Sequence, residues 1–216
     1  MSFFFIQDHF KDLLAEEHLA TFSQVHSFER GQLMSRKKLS STWRWTLKTG
    51  QVVYIKQDIR SCFRATLRQL LKFRRPLSAT EKECEKIRRM KGLGFQTAEV
   101  ILQGAQRRLG FLPHKAVMIS LAVPGVSLDE LWHSEVSQEE KDRALQAALA
   151  VWERLWQSGC DWRRDGKPEH FFYHAEENAI SLIDVERMLF FRRPIPQERR
   201  REQLLCFMEL LKRQGR

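Results

Sequence analysis

The apolar positions of this chain change period several times, and each change predicts an element. Phe10, Leu13, Leu14, Leu19 and Phe22 recur at roughly helical spacing, which predicts an amphipathic helix over residues 8–22. Packing of that helix on the domain is the main expectation; with Phe3 to Phe5 it also fits a membrane-surface helix. In "STWRWTLKTGQVVYIKQ" Trp-rich and polar positions alternate, turn at Lys48 to Gly50, and enter the β-branched run Val52 to Ile55, the pattern of a hairpin. A helical pattern follows from Ile59 to Phe73, and a second from about Thr80 to Lys91, closed by Gly92-Leu93-Gly94. "TAEVILQG" and "KAVMISLAVPG" then predict two strands, the second bending at Pro124-Gly125.

The remaining part is more helical. Ser137-Gln-Glu-Glu140 has capping-box form, and Leu145, Leu149, Trp152 and Trp156 continue at near-helical spacing until Gly159. Next come "RRDGKPEHFFY" at 163–173, a short apolar strand "AISLID" that delivers Asp184 at its end, and a last helix from about Gln197 to Arg213. No internal repeat or low-complexity linker interrupts the chain, which predicts a compact arrangement.

Two of these stretches carry a chemical pattern. Val53-Tyr54-Ile55-Lys56 has the V-x-I-K shape of a protein kinase's third strand, and Arg164-Asp165 with Lys167-Pro168-Glu169-His170 has the spacing of a kinase catalytic loop. Phosphoryl transfer needs held phosphates, a metal, a group at the attacking hydroxyl and charge neutralisation. Lys56 is the candidate for the α- and β-phosphates, oriented by Glu83, which shares a helix face with Ile87 and Met90 where Glu81 and Glu85 do not. Asp165 is the candidate general base. His170, five residues later, stands where a kinase has its metal-binding Asn, and Asp184 is the candidate metal carboxylate. Singly, each has a plain explanation as a surface, turn or strand-end residue; their order along the chain does not. His170 and His174 lack the H-E-x-x-H glutamate and lead into a strand, which argues against a helical metal pair.

Composition narrows the partners. Thirty-seven Lys and Arg against 27 Asp and Glu give a formal charge of +10, favouring polyanions: nucleic acid, anionic headgroups or phosphorylated glycans. Arg60, Arg64, Arg68 and Lys72 form a stripe of like charge that suggests a compensating anion, such as a membrane surface, as readily as a solvated face. The Arg pairs are dispersed and come with no recognisable binding motif, which argues against nucleic acid. Cys62, Cys84, Cys160 and Cys206 form no C-x-x-C pair, so neither a zinc site nor a disulfide framework is expected, and a reducing cytoplasm fits. The N-terminal stretch has the form of neither a signal peptide nor a membrane span.

At "VVYIKQ", "RRPLSATEKECEKIRRMKGLGFQTAEV", "RRDGKPEHFF" and "SLIDVERM" the chain resembles, in the same order, the lipopolysaccharide core kinases of Gram-negative bacteria: the Kdo and heptose kinases and their InaA-type relatives. That resemblance implies an α+β, compact protein-kinase-like fold. A small N-terminal β-sheet lobe with one or two helices would span 1–123, and a reduced, mainly helical C-terminal lobe 124–216. It implies ATP and Mg2+ as cofactors and a heptose or Kdo of the inner core as acceptor, with Lys56, Glu83, Asp165, His170 and Asp184 in the roles above. It also implies work at the cytoplasmic face of the inner membrane. His170 matches that family and departs from the Asn of protein kinases, and only 32 residues follow Asp184, too few for a peptide platform. Three departures remain: no Gly-rich loop near residues 28–50, Arg163 in place of the usual His, and Asp184-Val185-Glu186 in place of D-F-G. They motivate an alternative, a kinase-like regulatory protein with weak or no transfer activity. Nothing in the sequence sets the oligomeric state.

Overall fold

A computed structural model of the protein describes residues 2–60, 63–71 and 75–213. Its strands, in chain order, are β1 (Phe3–Ile6), β2 (Gln32–Lys37), β3 (Ser40–Thr46), β4 (Val52–Asp58), β5 (Gln96–Thr97), β6 (Val100–Arg108), β7 (Leu112–Leu121), β8 (Val126–Ser127), β9 (Cys160–Asp161), β10 (Phe171–His174), β11 (Ala179–Leu182) and β12 (Leu189–Phe190). The α-helices are α1 (Lys11–Glu16), α2 (Phe22–His26), α3 (Phe63–Leu70), α4 (Ala79–Gly92), α5 (Leu128–His133), α6 (Gln138–Gln157) and α7 (Gln197–Arg213). Two compact units emerge: residues up to Glu85 with Glu99–Ala122, and Lys86–Ala98 with the chain from Val123 onward.

The first unit is built on an antiparallel sheet in the order β1-β6-β7-β4-β3-β2. The predicted hairpin is β3 with β4, in the register Trp43↔Ile55 and Thr42↔Lys56. Alternation sends Trp43, Val53 and Ile55 into a core shared with Ile101, Leu102 and Ile119, and turns Lys56 to the opposite face. Gln57, buried on the core side, has its amide fully used. Its Oε1 accepts from Trp43 Nε1 at 3.1 Å and its Nε2 donates to Val25 O and Phe28 O at 2.8 and 2.9 Å. A buried amide satisfied on both ends fixes β4 against the segment around α2.

The N-terminal expectation needs correction. Phe3–Ile6 is an edge strand, paired Phe4↔Gly104 with β6, and the predicted helix over 8–22 is broken in two. His18 takes φ 56, a left-handed conformation that ends α1, and Thr21 opens α2 with a capping box to Gln24. Leu14 and Leu19 are fully buried in the sheet's core, so this segment packs on the sheet and is not a membrane-surface helix. Strand β2 had no signal in the sequence: its side chains are almost all exposed, and an edge strand without a buried face carries no alternation.

The second unit centres on α6. Trp152 stacks on Trp156 with centroids 5.4 Å apart, and Trp162, Phe171 and Phe207 close around it at 5.4–6.2 Å. Trp152, Trp162, Phe171 and Phe207 are essentially inaccessible to solvent, and α7 contributes Phe207 to this floor. Above it lie a sheet in the order β5-β11-β10-β8 and the β9–β12 ladder. Gly159, at φ 71, ends α6 as its sequence position predicts. Among the described residues, no helix is long and apolar enough to cross a membrane.

Candidate active site

One group of candidate residues, in the first unit, is assembled by the end of β4. Asp58, two residues beyond Lys56 and buried, accepts the backbone N–H of Thr80 at 3.0 Å, so the strand supplies a cap for the first turn of α4. Ser78 and Glu81 add a reciprocal capping box, at 2.9 and 3.2 Å. The other oxygen of Glu81 is held by Arg107, whose side chain is buried. With Glu81 committed to this structural pairing, Glu83 is the α4 carboxylate that reaches Lys56, and Lys56 Nζ donates to Glu83 Oε2. Both side chains are mostly buried, at 17% and 11% exposure, so this is not a solvated surface pair.

The other group, in the second unit, lies on the loop after β9. Asp161 is a buried carboxylate that no motif pointed to. Its Oδ1 accepts the Arg163 N–H at 2.9 Å and the Gln203 amide at 2.8 Å, and its Oδ2 takes Arg199 Nε at 2.9 Å. Gln203 in turn accepts from Trp156 Nε1 at 3.1 Å, so the loop is fastened to both α6 and α7. Arg163, which stands where kinases have His, takes φ 54, and its role here is set by its backbone N–H. Gly166 lies against the Trp152 ring: a Cβ there would stand 2.3 Å from Cη2, which makes glycine a steric requirement beside Asp165.

Asp165 Oδ1 accepts from Arg187 Nη1 at 3.1 Å. With Oδ1 engaged, Oδ2 is the oxygen available to take a proton. His170 Nδ1 lies 2.8 Å from Asp165 O, and its ring stacks on Trp162. A carbonyl accepts only, so Nδ1 donates to it. Nε2 lies 3.5 Å from Glu169 Oε1 and 3.6 Å from Asp184 Oδ2. Asp184 sits at φ 52, half exposed, in a left-handed conformation that Asp tolerates better than most residues. Lys86 of α4 donates to the backbone O of Glu186, so the segment after Asp184 is anchored, and Glu186 acts there through its main chain.

The structure therefore joins Lys56 with Glu83, and joins Asp165, His170 and Asp184 through one imidazole ring. With Nε2 unprotonated, His170 and Asp184 would be the residues to hold a divalent cation here. Among the described residues no cluster of three or more His, Cys, Asp or Glu could hold a metal ion. Cys160, beside Asp161, is no nucleophile: burial pushes its thiol up to about 11 despite Arg89, so it is protonated at neutral pH. Of the basic stripe, Arg60 is exposed and Arg64 and Arg68 lie on α3, but the side chains of those two and the whole of Lys72 fall outside the described residues.

Two units of sheet and helix, with a strand lysine paired to a helix glutamate in the first and a loop aspartate and a strand-end aspartate in the second, define a protein-kinase-like α+β fold. Solved structures bear this out. The chain is similar to WaaP in complex with acyl carrier protein, at 20% identity and a TM-score of 0.64, covering 95% of this chain and 80% of that one. It is also similar to the Rio2 kinase-ADP/Mg2+-phosphoaspartate complex from Chaetomium thermophilum, at 17% identity and a TM-score of 0.51, covering 93% of this chain and 60% of that one. No protein-family model and no curated protein matches the sequence.

Proposed function

We propose that this protein is an ATP- and Mg2+-dependent kinase that phosphorylates a heptose or Kdo of the lipopolysaccharide inner core, working at the cytoplasmic face of the inner membrane. The observation that carries the reading is the hydrogen-bonded series Asp165 O to His170 Nδ1 with His170 Nε2 toward Asp184, in a kinase-like fold. A kinase loop with His at this position is the feature shared with the lipopolysaccharide core kinases, and the likeness to WaaP supports the same class.

In this reading Lys56, held by Glu83, binds the α- and β-phosphates as a positive charge that does not wander. Asp165 Oδ2 accepts the proton of the sugar hydroxyl as it attacks, while Arg187 holds the carboxylate in place through Oδ1. Asp184 and His170 Nε2 would hold the divalent cation. When bound, that ion supplies charge neutralisation at the transferring phosphate. Asp161 acts one step back, holding the loop through the Arg163 N–H.

Incubation with γ-labelled ATP, Mg2+ and a panel of rough lipopolysaccharides, a protein acceptor and RNA tests the substrate class. Label is expected in the core sugar of the glycolipid alone. Label in the protein acceptor, or transfer to no acceptor by a folded chain that binds Mg2+ and ATP, would replace this reading with a protein kinase or with the regulatory alternative.

A further inference from the structure

The turn between β6 and β7 places apolar side chains where the backbone gains nothing from them. Leu109 takes φ 50 and is 82% exposed, and Phe111, two residues on, is 51% exposed. A left-handed turn position favours Gly or Asn, so Leu109 carries backbone strain and solvent exposure together, with no compensating burial within the chain. Exposed leucines recur at α3: Leu67 on it is 44% exposed and Leu71, just after it, 72%.

These groups are fastened to one another. Arg107 Nη1 donates to Phe111 O at the turn and to Pro76 O after α3, each at 2.9 Å, while its Nη2 is held by Glu81. The Gln69 side chain of α3 both donates to Leu77 O at 3.1 Å and accepts from Leu77 N at 3.0 Å. The end of α3, residues 75–77 and the turn thus form one braced surface.

Its exposed charge is positive. Among the described residues Arg60, Arg75 and Arg108 are exposed and Lys115 is half-buried, while the Arg107 side chain is buried and neutralised by Glu81. The positive field is felt at His114, where burial, then Arg108 and Lys115, push the imidazole below its ordinary value. Exposed apolar side chains next to the exposed cations Arg75 and Arg108 match the headgroup boundary of an anionic bilayer. A second copy of this surface would meet it with like charge.

We propose that the β6–β7 turn and α3 form one docking surface for anionic lipid bilayers, with Leu109 and Phe111 entering the headgroup region. The inference rests on the membrane-facing part of the function proposed above and not on phosphate transfer, so vesicle binding and transfer fail separately.

The test is cosedimentation of the full chain with vesicles of equal parts phosphatidylcholine and phosphatidylglycerol, and with phosphatidylcholine alone. Binding is expected to the anionic vesicles, to weaken with added salt, and to fall about tenfold or more in Leu109→Ser/Phe111→Ser. Thermal stability and ATP binding of that variant should match the natural chain, since neither side chain is buried. Absence of vesicle binding, or binding unchanged in the double variant, overturns the proposal. So does light scattering that shows an oligomer of the natural chain dissociated by these substitutions, which would assign the surface to a second copy.

Discussion

Asp165→Asn is expected to slow phosphate transfer by about 10²- to 10⁴-fold, the range for loss of a positioned general base. The amide keeps the shape of the carboxylate but loses the charge and the basicity. Its oxygen can still accept from Arg187, and the His170 contact runs through the backbone carbonyl, so the loop should hold its conformation. ATP affinity and unfolding temperature are therefore expected to stay close to those of the natural chain, with the loss in kcat. A variant that transfers phosphate at the natural rate would remove Asp165 from the chemistry. One that loses ATP binding as well would show that the residue acts on nucleotide rather than on the acceptor.

Trp152→Ala should cost about 3–5 kcal/mol of stability, measured by urea unfolding. The ring is wholly buried, touches Trp156, Trp162, Phe171 and Phe207, and bears directly on Gly166. Its indole N–H has no hydrogen-bond partner among the described residues, so its contribution is packing. Trp152→Phe should recover most of the loss by refilling much of the volume without leaving a polar group unpaired. If Trp152→Ala unfolds at the natural urea concentration, the aromatic floor does not hold the catalytic loop. A small change in stability with a large change in transfer rate would instead assign the ring to positioning alone.

How much of this was legible in the sequence follows from what kind of information each element needs. The hairpin β3–β4, the long helix α6 and the last helix α7 rest on local periodicity and local caps, and their residues fold where the pattern puts them. The pairing of Lys56 with Glu83 was legible because one helix face selects that glutamate, and the grouping of His170 with Asp165 and Asp184 because a short loop and the strands after it bring them together. Asp161 was not visible. Its partner Gln203 is 42 residues away on α7, and nothing local marks a buried carboxylate two of whose three donors, Arg199 and Gln203, come from that distant helix. Arg187 was missed for a similar reason: it looked like one of many surface arginines until the turn at Asp184 brought it to Asp165. The break between α1 and α2 was missed because both halves keep helical spacing, and the left-handed residue His18 is not a glycine.

The central claim is that Lys56 with Glu83 and Asp184 with His170 both act on metal-bound ATP. Calorimetric titration of ATP into the natural chain, Lys56→Met and Asp184→Asn, each with Mg2+ and with a chelator, tests it most directly. The account predicts Mg2+-dependent binding by the natural chain, weaker binding by Lys56→Met, and loss of the Mg2+ dependence in Asp184→Asn. ATP binding that ignores both substitutions, or a natural chain that binds no ATP with Mg2+ present, would contradict it.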